Sequence, residues 1–255
     1  MERKEKQKKH YYSPVKEFDT YRRPHIFYRL FRGMADLFFP KNEFVWQTQK
    51  PADGEAYMFV CNHTKIYAPT YFLFKQKKTR VWANCYFLYM SMCWKHIKTR
   101  VLVNRSPKFL LYPIAFLLTP LIVLTFRAFN PIPVFHKVPE VVTMTFDKSM
   151  QTFDEGVPQV IFPERTENRV NKYVYQFNCG FPAVAKSYYE KTGKKVKFYP
   201  VYCAQKLRKF VVGDPIEYNP DIKIQEQKKK ICEYLQDKIC EIGESLPPHE
   251  PVIYG

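Results

Sequence analysis

Asn62-His63 and Phe162-Pro163-Glu164-Arg165-Thr166 are the two stretches of this sequence whose residue types could do chemistry. An imidazole, with an ordinary pKa of about 6.5, can take up a proton at neutral pH. A carboxylate can accept from a hydroxyl or from the backbone. The guanidinium groups of Arg165 and, a little further on, Arg169 can hold an anion such as a phosphate. Together these are the parts of a general-base site for a polar or phosphorylated molecule. Taken singly, each also has a plain structural reading. A histidine after a strand commonly bonds its own loop, and turn carboxylates and arginines form surface ion pairs.

Both stretches follow apolar runs, Tyr57 to Cys61 and Gln159 to Phe162, which read as buried strands. The junction of strand and loop is where rigid α/β scaffolds present reactive groups. Further strands are expected at Arg80 to Ala83, Lys197 to Tyr202 and Phe210 to Val212. Helices are expected from Pro69, from Pro139 to Asp154 with Gly156 as the stop, from Phe181 to Lys191 with Gly193 as the stop, and from Ile224 to Ile242. Alternation of strands and helices implies an α/β fold, a mostly parallel or mixed sheet flanked by helices. Before it, Phe27, Leu30, Phe31, Met34 and Phe38 recur at helical spacing behind Arg22, Arg23, Arg29 and Arg32, predicting an N-terminal amphipathic helix ended by Pro40.

In order and spacing the two stretches resemble the first and third sequence blocks of the glycerolipid (PlsC-like) acyltransferases. The first block there is Asn-His, four residues, then Asp; the third is Phe-Pro-Glu-Gly-Thr-Arg-Ser. Phe177-Asn178-Cys179-Gly180-Phe181 is similar to that family's Phe-Lys-x-Gly segment, and Tyr199-Pro200-Val201 to its fourth block. The likeness runs from about Met58 to Ile216. It implies a glycerol-3-phosphate acyltransferase-like fold and transfer of a fatty acyl group from a thioester to a glycerolipid hydroxyl. By position His63 would be the base, and Glu164 and Thr166 would hold the acceptor or organise the loop. Arg165 and Arg169 would reach a phosphate, and His136 or Lys137 would stand where an arginine closes block two. The donor would be the thioester of coenzyme A or of acyl carrier protein, a co-substrate, with no bound cofactor and no metal. The sequence departs from the family where its acid becomes Ala68 and where its Gly, Arg and Ser become Arg165, Glu167 and Asn168. Ala68 keeps open the alternative of a catalytically impaired lipid-binding protein on the same fold.

Composition narrows the classes. The chain has 255 residues, 46% hydrophobic and 17% aromatic, enough for one sizeable core after a charged arm at 1–21 and an interfacial helix and linker at 22–44. The acyltransferase-like domain would then occupy 45–255, with an apolar insertion near 86–126. Forty-one basic residues against 24 acidic ones give a net charge of +17, which favours anionic partners. The basic residues follow no nucleic-acid-binding pattern, so an anionic membrane surface and a lipid acceptor are expected and nucleic acid is not. A serine hydrolase would need a Gly-x-Ser-x-Gly elbow, which this sequence lacks. Seven cysteines without a Cys-x-x-Cys pair suit reduced thiols, and the charged N-terminus does not read as a secretory signal. Residues Phe109 to Phe126 carry no formal charge and approach the length of a membrane span. A single crossing there would put His63 and Glu164 on opposite sides. A monotopic or peripheral attachment to the cytoplasmic face is therefore expected.

Overall fold

The computed structural model describes residues 25–76, 78–102, 104–135 and 139–253. The expected arm, together with Arg22, Arg23, His136 and Lys137, lies outside them. In chain order the first elements are α1 (His25–Phe38), β1 (Glu43–Trp46), β2 (Tyr57–Cys61), α2 (Tyr67–Lys75), β3 (Arg80–Asn84) and α3 (Met90–His96). Next come α4 (Lys108–Ala128), β4 (Ile132–Val134), α5 (Pro139–Asp154), β5 (Gln159–Ile161), β6 (Glu164–Arg169) and β7 (Tyr175–Phe177). The chain closes with α6 (Ala183–Thr192), β8 (Lys197–Ala204), β9 (Lys209–Val212), β10 (Ile216–Glu217) and α7 (Ile224–Ser245). The described residues form two compact units, those within 35–82 with 146–253, and those within 25–34 with 83–145.

The larger unit is built on a sheet in the order β1-β9-β8-β2-β5-β3, with β10 on β8. Neighbours are parallel except at β8/β9 and β8/β10. The apolar runs seen in the sequence lie at its centre, because a strand covered on both faces has no polar side to present. Phe59 and Tyr199, opposite one another in the β2/β8 register, share a face with Phe72 of α2. Phe44 and Phe210 complete that aromatic layer. On the other face Phe198 meets Phe181 beside α6. Ile231, Leu235, Ile239 and Ile242 recur along the buried stripe of α7, as the sequence implies. Gly193 ends α6 in the left-handed region at φ 72°, its N–H bonded to the Tyr189 carbonyl.

Two sequence expectations change here. Glu164 to Arg169 is not a loop but the strand β6, paired antiparallel with β7 in a separate two-stranded sheet. Its residues are wholly polar, so neither alternation nor an apolar run marked it. Cys179 and Cys232 form a disulfide between partners 53 residues apart, where reduced thiols were expected. Such a pairing follows from tertiary contact and leaves no local spacing to read.

In the smaller unit a 3₁₀ turn (Cys85–Phe87), α3 and a π turn (Ile97–Val101) lead into α4. Cys93, Ile97, Leu102 and Val123 form a buried cluster against which Leu111, Tyr112, Ala115 and Ile122 of α4 pack. Among the described residues α4 is the one helix long and apolar enough to cross a membrane by length and composition.

Candidate active site

The site grows from the end of β2. Asn62, 2% exposed, turns its carboxamide toward β8: Oδ1 accepts from the Cys203 N–H at 2.6 Å, and Nδ2 faces the Cys203 carbonyl at 3.5 Å. The side chain thus holds the backbone just before the histidine. Thr64 and Lys65 follow with φ of 34° and 54°, left-handed conformations that cost a non-glycine residue about 1 kcal/mol or more each. The turn is held from inside. Thr64 Oγ1 accepts from the Ala68 N–H at 3.1 Å, capping the first turn of α2, and the Thr64 carbonyl accepts from the Tyr67 N–H at 3.1 Å. Replacing Asn62 by Ala would strand the buried Cys203 N–H. The expected cost is about 2 kcal/mol, read as a fall in Tm of about 4–8 °C.

Glu164, the first residue of β6, joins the two stretches. Its Oε2 accepts from the His63 N–H at 2.5 Å and its Oε1 from the Tyr175 N–H at 2.8 Å. One carboxylate therefore fixes the loop after β2 and the β6/β7 pair at once. The Asn178 N–H donates to the Pro163 carbonyl at 2.8 Å, anchoring the other side of the same hairpin. Burial pushes the Glu164 pKa up to about 7, against the two N–H donors, which hold it down.

Burial also moves His63, pushing its pKa down to about 4. Hydrogen bonding to the backbone of Lys65 and of His63 itself opposes that shift. The Phe162 ring stands edge-on to the imidazole, centroids 5.6 Å apart. The ring is thus neutral at pH 7, as a base must be. Where the family's acid would lie, Ala68 is fully buried.

The remaining expected residues are distributed differently. Arg165 is exposed on β6. Arg169 bonds the turn that follows it, through Nε to the Asn171 carbonyl at 3.0 Å and Nη2 to the Lys172 carbonyl at 2.9 Å. Thr166 lies on β6, and His136 and Lys137 lie outside the described residues. Sequence reasoning marked Asn62 but not its grip on Cys203, and it missed the Tyr175 N–H entirely. Backbone donors carry no residue-type signal. Among the described residues no cluster of His, Cys, Asp and Glu could hold a metal ion.

No family model matches the sequence, and no curated protein matches it. Among solved structures, the chain is similar to the 1-acyl-sn-glycerophosphate (LPA) acyltransferase PlsC from Thermotoga maritima. The match covers 85% of this chain and 78% of that one at 15% identity, with a TM-score of 0.42.

Proposed function

We propose that the protein transfers a fatty acyl group from an acyl thioester to a hydroxyl of a glycerolipid-type acceptor, a lysophosphatidate-like molecule among them. The observation that carries this reading is the carboxylate of Glu164 on the His63 N–H, which unites residues 101 apart in sequence at one point. His63 takes the hydroxyl proton as the oxygen attacks the thioester carbonyl, and the tetrahedral intermediate collapses with loss of the thiolate, which leaves as the thiol once protonated. Glu164 holds the histidine's backbone rather than its ring, so its part is positioning.

A second reading is favoured by Ala68. In a serine protease triad, losing the acid that orients the histidine lowers turnover about 10⁴-fold, and here no acid occupies the family's position. A lipid-binding protein without turnover would have the same scaffold. An assay of thiol release from acyl-coenzyme A and acyl carrier protein, with and without lysophosphatidate or monoacylglycerol, separates the two. Acceptor-dependent release supports the enzyme; none with any pair supports the binding protein.

Phosphate recognition falls to Arg165, since Arg169 is spent on its own turn. Arg165→Gln should raise KM for a phosphorylated acceptor about tenfold and leave a neutral acceptor unchanged. Equal effects on both acceptors would remove phosphate from the account.

A further inference from the structure

In the smaller unit α4 has two unlike faces. One packs on α3 and the π turn through Leu111, Ala115, Ile122 and Val123. The other leaves Phe109, Leu110, Ile114, Leu117 and Leu121 in water, with Phe109 82% and Leu117 74% exposed. A contiguous apolar face of this kind on a soluble surface marks a docking site.

Two further features choose the occupant. No Asp or Glu occurs anywhere from Ala56 to Pro139. Within that stretch Lys95, Lys98, Arg100, Arg105 and Lys108 are exposed along the segment from α3 to the first residue of α4, where the apolar stripe begins. A partner must therefore be apolar at the centre and anionic at its rim. Nucleic acid would satisfy the rim and leave the stripe wet, whereas a bilayer with acidic headgroups satisfies both.

The depth is bounded as well. The exposed stripe ends at Leu121, so from Phe109 it is about 18 Å long at 1.5 Å per residue, short of the roughly 30 Å hydrocarbon core. Beyond it Val123, Thr125, Arg127 and Ala128 are buried, and Arg127 Nε donates to the Leu88 carbonyl at 2.7 Å. A crossing would strip that arginine from its carbonyl and pull Val123, Thr125 and Ala128 out of their buried positions.

We infer that the α3–α4 hairpin is a one-sided wedge that docks on an anionic phospholipid bilayer and lies in its interfacial layer without crossing it. This deepens the proposed function by naming where the protein would meet a lipid acceptor, and rests on that reading only for that purpose. The α1 helix adds a second apolar edge: Ile26, Leu30 and Met34 are exposed one turn apart, and its Tyr28 ring lies 5.1 Å from Phe129 at the end of α4.

The test is flotation of the full chain with vesicles of phosphatidylcholine, with or without about 30 mol% phosphatidylglycerol. The protein should float with the anionic vesicles. Leu110→Glu/Leu117→Glu should lower its partition at least 100-fold. Lys98→Gln/Arg105→Gln should lower it about 30-fold on anionic vesicles and leave neutral ones unchanged. Lys229→Gln/Lys230→Gln, on exposed α7 positions, removes the same charge and should change neither. All these positions are exposed, so circular dichroism should match the wild type. In Asn104→Cys protein added to sealed vesicles, a membrane-impermeant maleimide should label the new thiol from outside. No flotation, equal loss in the α7 control, or a thiol protected until detergent is added would each overturn the wedge. None of these readouts needs turnover. Lost acyl transfer in detergent micelles would fault the proposed function and leave the docking surface standing.

Discussion

His63→Ala protein should fold as the wild type does and lose acceptor-dependent acyl transfer by about 10²–10⁴-fold, the range a positioned general base contributes. The fold should survive because the strand before His63 is held by its sheet partners and by Asn62, not by the imidazole. Thiol release with and without acceptor, beside a thermal melt, is the measurement. Full activity in the folded variant would remove His63 from the chemistry. The companion change, Ala68→Asp, should bring no gain in turnover. A carboxylate at this fully buried position carries a desolvation cost. A large gain would mean that the ring is poorly held and that the missing acid limits the rate.

The second large effect is on pH dependence, where His63 and Glu164 oppose one another. Burial raises Glu164 from 4.5 to about 7, so between these values the folded protein keeps a proton that the unfolded chain has released. Its stabilising effect is complete below pH 4.5 and is lost as pH rises through 7. Burial lowers His63 from 6.5 to about 4, so there the unfolded chain holds the extra proton. That contribution is complete above pH 6.5 and is lost as pH falls through 4. Each displacement corresponds to about 3 kcal/mol, and in the wild type they nearly cancel between pH 4.5 and 6.5. Removing one exposes the other. Across that window Glu164→Gln should gain about 2–3 kcal/mol as pH rises, and His63→Ala should lose a similar amount. Denaturant titrations at several pH values measure both, and flat profiles in both variants would refute the buried titrations.

Activity should follow the carboxylate rather than the imidazole. Protonated Glu164 cannot accept from both the His63 and Tyr175 N–H groups as the carboxylate does, so the acid limb of kcat/KM should fall near pH 7. In Glu164→Gln that limb should vanish and leave a lower, pH-independent rate. A limb that persists near 7 in this variant would belong to another group.

The architecture was largely written in the sequence. Tyr57 to Cys61 and Gln159 to Ile161 are strands because an unbroken apolar run finds cover on both faces of a central sheet. Pro139 and Gly156 bracket α5 because one has no N–H to lose at a helix start and the other accepts a positive φ at its end. The same reading placed His63 and Glu164 at strand ends. Only the tertiary structure decided what those ends do to one another. Glu164 faces the His63 N–H because β2 and β5 are parallel neighbours in the sheet, and no local pattern states that pairing. The strand β6 was invisible because its six residues are all polar and it is held by pairing with β7 rather than by burial. The Cys179–Cys232 disulfide and the hold of Asn62 on Cys203 likewise join residues far apart in the chain. The shifted protonation of the site belongs to this second class too. Desolvation depends on what the fold packs around a group, and residue type alone does not carry that information.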